Sequence, residues 1–129
     1  MKKYLLVSIL MLFSLTISLG LFAEEKGKTV QGTLVDTKCY VTGGFKVNEH
    51  MGVKDCGTMC AKSGIPVGVL DAKGNLYTVL APAPAFADHI GQEARVTGKV
   101  DVKGKHVVPD KIEVKRGDKW EEVKAQAMM

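Results

Sequence analysis

The stretch Glu93-Ala94-Arg95-Val96-Thr97-Gly98-Lys99-Val100-Asp101-Val102 alternates between apolar and polar residues from end to end. Ala94, Val96, Val100 and Val102, with Gly98 in register, fall on one side, while Glu93, Arg95, Thr97, Lys99 and Asp101 fall on the other. Successive side chains of a strand point to opposite faces, so this is a strand with one face in a core and one in water. Beyond it, Lys103-Gly104 turns the chain into Val107-Val108, Pro109 interrupts, and Lys111 to Lys115 resumes with Ile112 and Val114 facing inward. Proline brings no N–H to a ladder, so Pro109 suits a bulge or an edge position. Lys119 to Val123 adds a last short strand.

Working back toward the N-terminus, Pro66 to Leu70 and Leu76 to Leu80 are apolar runs joined by Asp71-Ala72-Lys73-Gly74-Asn75, a hairpin with glycine at its tip. Ala81-Pro82-Ala83-Pro84 opens a connection, and Pro84 starts a short helix that ends at His89 before Gly91. Thr29 to Tyr40, with Val30, Leu34 and Val35, reads as a first strand ending at Cys39-Tyr40 and broken by Gly43-Gly44. Residues 45–55 show no period and form a loop carrying His50. Asp55 caps a short helix, Cys56 to Ser63, stopped by Gly64. The resulting order, β-β-β-α-β-β, predicts a mainly β fold: a small five-stranded OB-like barrel with one or two short helices. The Cys/His-bearing insertion at about residues 39–64 lies between its first and second strands.

The chain has 129 residues and begins as an export signal does. Lys2 and Lys3 precede a run from Leu5 to Phe22 that is apolar apart from serine, threonine and Gly20, and Ala23 stands before Glu24-Glu25-Lys26. Residues 1–23 therefore read as a signal peptide and 24–129 as a single domain, exported to the periplasm or beyond the cell, with no stable membrane insertion after cleavage. Lys2 and Lys3 are the only basic residues in the leader and all 14 acidic ones lie beyond it, so the formal charge falls from +4 to about +2. The lysines are dispersed and the aromatics few, which argues against a nucleic-acid-binding surface. Phosphate-binding loops, nucleophile elbows and paired carboxylates are all missing from the sequence, and no enzymatic activity is expected.

Chemistry concentrates elsewhere. Cys39, His50, Cys56 and Cys60 fall within 22 residues, enough soft and borderline donors to close a tetrahedral shell around one metal ion. Cys56 and Cys60 are one helical turn apart and project from the same face, so they can chelate one ion together. Side chains at that spacing run side by side, which disfavours a disulfide between them. Zinc is the expected ion. Met51 and Met59 lie beside these residues and keep copper as the alternative. Two other readings use the same cysteines. Cys39 could pair with Cys56 or Cys60 to staple the first loop, leaving one spare thiol on an OB-type ligand-binding module whose aromatic face would be Tyr40 and Tyr77. Alternatively the thiols could serve redox chemistry, although the C-x-x-C spacing of disulfide oxidoreductases is absent.

Gly32-Thr33-Leu34-Val35-Asp36 with Cys39-Tyr40, the run Cys56-Gly57-Thr58-Met59-Cys60-Ala61-Lys62-Ser63-Gly64-Ile65-Pro66-Val67-Gly68-Val69-Leu70, and Ala94-Arg95-Val96-Thr97-Gly98-Lys99-Val100 resemble a group of small exported, largely uncharacterised bacterial proteins similar to OB-fold-like domains. The resemblance covers most of the mature chain. It implies a barrel fold and a cysteine cluster with a histidine shortly before the paired cysteines; His50 stands six residues before Cys56, a longer gap than the group shows. No particular activity or protein partner follows from it.

Overall fold

The computed structural model describes residues 27–43 and 45–125. The leader at 1–23 lies outside them. The elements run β1 (Lys28–Asp36), α1 (Thr37–Thr42), β2 (Phe45–Lys46), β3 (Glu49–His50), α2 (Cys56–Lys62), β4 (Val67–Leu70), β5 (Leu76–Val79), a 3₁₀ helix (Ala83–His89), β6 (Glu93–Asp101), β7 (His106–Arg116) and β8 (Lys119–Glu122). Strand β1 pairs antiparallel with β4 on one side and β6 on the other, β4 with β5, and β6 with β7. The parallel pairing of β5 with β7, through Thr78–His106 and Val79–Val107, closes the ring. The result is a closed five-strand β-barrel, with β8 added to the outer edge of β7.

Closure covers part of the sheet's edges, β5 pairing with the start of β7 and β8 with its end, and the inward positions fill one core. Leu34, Val69, Phe86, Val96, Val107 and Val114 are sealed from solvent there. The 3₁₀ helix caps it, seating Phe86 and Ala87 in the core. Strand β6 buries Ala94, Val96 and Gly98 as its alternation requires, but it ends at Asp101, and Val102 is exposed in the turn that follows.

Strand β7 shows why Pro109 is tolerated. Thr97 faces Lys111 and Gly98 faces Pro109, so Asp110 is an extra residue in the ladder. One added residue reverses which parity points inward. Val107 is therefore buried before the bulge, and Ile112 and Val114 after it. The bulge also brings the backbone so close that a Cβ at Gly98 would collide with the carbonyl oxygen of Val108. Glycine is required there.

The first strand differs from its sequence reading. It stops at Asp36, and Cys39 and Tyr40 lie on helix α1 instead. The reason is the Asp36 side chain, whose Oδ1 accepts from Cys39 N at 2.6 Å and so supplies the N-cap that turns strand into helix. Leu34, Val35 and Asp36 are buried consecutively, since helices α1 and α2 pack over this end of the barrel strand.

On the outer face, Arg95 of β6 reaches across to Glu113 of β7 with two hydrogen bonds, Nε–Oε2 at 2.7 Å and Nη2–Oε1 at 3.0 Å. Lys111 adds a third at 3.1 Å, and the Trp120 ring lies 4.3 Å under the guanidinium. The Arg95 fork, and then Lys111, hold the Glu113 carboxyl down to about 2. A carboxyl held below its unfolded value of ~4.3 contributes stability that is complete above that value and disappears as pH falls toward 2. Glu113→Gln should therefore lower stability at neutral pH and flatten the acid limb between those two values, measured by urea unfolding at a series of pH values. An unchanged acid limb would show that Glu113 contributes nothing to it.

Candidate metal centre

The insertion that carries the cysteines lies between β1 and β4, and side-chain hydrogen bonds tie its described residues together and to the barrel. Helix α1 begins at the Asp36 cap and is tied to the base of β4 by Thr37, whose backbone N–H and hydroxyl both donate to the carbonyl of Pro66. A short hairpin, Phe45–Lys46 against Glu49–His50, follows where the sequence suggested only a loop. Helix α2 spans Cys56–Lys62 and ends where Gly64 N donates to Ala61 O and Ile65 N to Cys60 O.

The start of α2 corrects another expectation. Asp55 occupies the N-cap position with a left-handed backbone, but its side chain makes no capping hydrogen bond. Asn48 supplies the cap from the hairpin, its Oδ1 accepting from Thr58 N at 2.9 Å. Its Nδ2 donates to Thr58 Oγ1 at 2.8 Å and to Asp55 Oδ1 at 3.3 Å. Thr58 Oγ1 in turn donates to the carbonyl of Ala87 on the 3₁₀ helix, locking α2 onto the barrel cap. This crowding explains Gly57. A Cβ there would come within 2.8 Å of both Asn48 Oδ1 and Ile90 Cγ2. Glycine lowers helix propensity but allows the close approach.

The two helices bring three sulfurs together. Cys39 Sγ stands 3.4 Å from Cys56 Sγ and 4.0 Å from Cys60 Sγ, and all three sulfurs lie within 4.8 Å of one another. Three thiolates on one zinc at ~2.3 Å are about 3.8 Å apart, so the cluster is already near the size of a coordination shell. Cys39 is buried, and Cys56 and Cys60 are half-buried. Burial pushes the Cys39 thiol well above its ordinary range, helped by contacts with Cys56 and Asp36. It pushes Cys60 upward too, with the nearby Asp36 charge adding to the effect. Each would have to lose that proton to ligate a cation.

His50 lies outside the group of mutually close ligand atoms. Its Nε2 is 3.3 Å from Thr42 Oγ1 at the end of α1. Asp36 is the residue that sequence reasoning undervalued. Its place at the end of the first apolar run suits a capping role, and it does cap α1. The fold adds that it is completely buried and that its second oxygen, Oδ2, has no hydrogen-bond partner. Nothing in the sequence marks that second property, since it depends on helix α2 folding back over the strand end.

No family model, curated protein or solved structure matches this chain. The capping geometry gives a direct test of how the insertion is held. Asn48→Ala should cost about 1–2 kcal/mol, because it strips a cap and leaves Thr58 short of partners. Asp55→Asn, which keeps a residue type that tolerates the left-handed backbone at this position, should cost much less, as the Asp55 carboxylate makes no capping bond. Thermal unfolding of the two variants beside the parent chain reads the difference, and equal losses would contradict the assignment of the cap to Asn48.

Proposed function

We propose that the chain is an exported, non-enzymatic domain that binds one transition-metal ion through Cys39, Cys56 and Cys60. Zinc is the first choice and copper the alternative, with a role in bracing the insertion or carrying the ion. The observation that carries this reading is the convergence of three sulfurs from two separate helices to coordination distance. The orphaned Oδ2 of Asp36 supports it. A fully buried carboxylate oxygen without a donor is costly, and a cation among the adjacent thiols would supply the missing positive charge. His50 is not counted among the donors, so the fourth position of a tetrahedral ion is left for water or a further ligand. Export, signal cleavage and kinship with the small exported bacterial group belong to the same proposal and rest on the sequence.

The rival ligand-binding module needs an exposed aromatic face. Tyr77 instead packs against the core beneath Lys105 Nζ, which lies 5.1 Å from its ring centroid, and Tyr40 is half-buried on α1. Both rings are half-buried, which weighs against an exposed aromatic face.

Native mass spectrometry of the reduced mature chain, offered Zn(II) and separately Cu(I), should show one bound ion that a chelator removes. Cys39→Ser should abolish binding, because Cys39 is the sulfur that both others approach, whereas His50→Ala should keep one ion per chain. A reduced chain that stays at its bare mass in both metals would overturn the proposal.

A further inference from the structure

The three sulfurs are not equivalent. Cys39 is central and only 2 % exposed, with Cys56 at 3.4 Å and Cys60 at 4.0 Å, while Cys56 and Cys60 remain half open to solvent. Cys56 and Cys60 are successive-turn neighbours on α2, where side chains run alongside each other and close a disulfide poorly. Cys39 and Cys56 approach from different helices and need to close by only about 1.4 Å to reach the ~2.05 Å of an S–S bond. Of the pairs involving Cys39, this is the shorter.

We propose that the centre is redox-gated: a small-molecule or protein disulfide joins Cys39 to Cys56, which dismantles the metal site and leaves Cys60 as the one free thiol. This rests on the metal reading above and adds regulation to it. Solvent reaches Cys56, so its thiolate attacks the external disulfide RS–SR, forming Cys56–S–S–R and releasing one RS⁻. Cys39 then attacks the Cys56 sulfur, giving up its thiol proton to the departing RS⁻, so that the Cys39–Cys56 bond forms and the second RS leaves as RSH. Two electrons pass from the two cysteine sulfurs to RS–SR, which leaves as two thiols once protonated. An ion held by three sulfurs loses two of them and dissociates. The odd cysteine count then has a use: two sulfurs switch, and the third completes the site only in the reduced state.

The test treats the reduced, metal-free mature chain with oxidised glutathione, alkylates the remaining thiols and maps the peptides. The expected result is a Cys39–Cys56 cross-link with a single alkyl group, on Cys60. Zinc affinity of the oxidised chain should fall by more than the ~10–100-fold that loss of a supporting residue alone costs. Prior loading with zinc should slow the cross-linking. Cys60→Ser should form the bond at a rate close to that of the parent chain, whereas Cys56→Ser leaves only the more distant Cys39–Cys60 pair at 4.0 Å and should slow any cross-link by ~10-fold or more. Three alkylated cysteines, a Cys56–Cys60 bond, a persistent glutathione adduct, or unchanged zinc affinity after oxidation would each overturn the gating. A reduced chain that never takes up zinc would instead sink the metal reading itself, so the two failures are separable.

Discussion

Asp36 marks the point where the barrel ends and the cysteine-bearing insertion begins. Its Oδ1 closes on Cys39 N, which stops β1 and starts α1 within a few residues. Without that cap the period of the strand would carry Cys39 onward along the barrel wall. With it, the chain turns into a helix that delivers Cys39 to the two cysteines of α2. The same carboxylate is buried with one oxygen unpartnered, and its charge presses on the Cys39 and Cys60 thiols. One side chain therefore contributes both to the geometry of the cysteine cluster and to its electrostatics.

Among the described side chains of the insertion, Val41, Val47, Met51, Val53 and Met59 are exposed large apolar residues, while Ala61, Gly57 and Cys39 are buried. Polar side chains hold it instead: Thr37 to Pro66, Asn48 to Thr58, and Thr58 to Ala87. Such hydrogen bonds contribute about 1 kcal/mol each. A cross-link at the cysteines, by ion or by disulfide, would add more than any one of them. That contrast gives the proposed redox exchange its physical meaning, because either linkage can tie α1 to α2, but only one leaves a sulfur free.

The barrel was legible because its signals are local and periodic. The alternation of β6, the turn residues Asp71 to Asn75 and the break at Pro109 each state their own structure, and the strand order follows from their sequence. The overrun of β1 was decided locally, by the Asp36 cap, but two other departures from the sequence reading turned on a partner distant along the chain. Val102 continues the pattern of β6 but lies beyond the last pairing with β7. Asp55 has the residue type of a helix cap, yet Asn48 takes that role across ten residues.

The centre divides in the same way. The sequence by itself determined that three cysteines fall in one insertion and that Cys56 and Cys60 share a helical face, since helix periodicity is fixed by the backbone. Only the tertiary structure decided that Cys39 reaches them, that His50 turns to Thr42, and that an unpartnered Asp36 oxygen is buried beside the sulfurs. Those three facts depend on how two helices dock over the end of β1, and docking is set by packing and capping between residues that no local pattern connects.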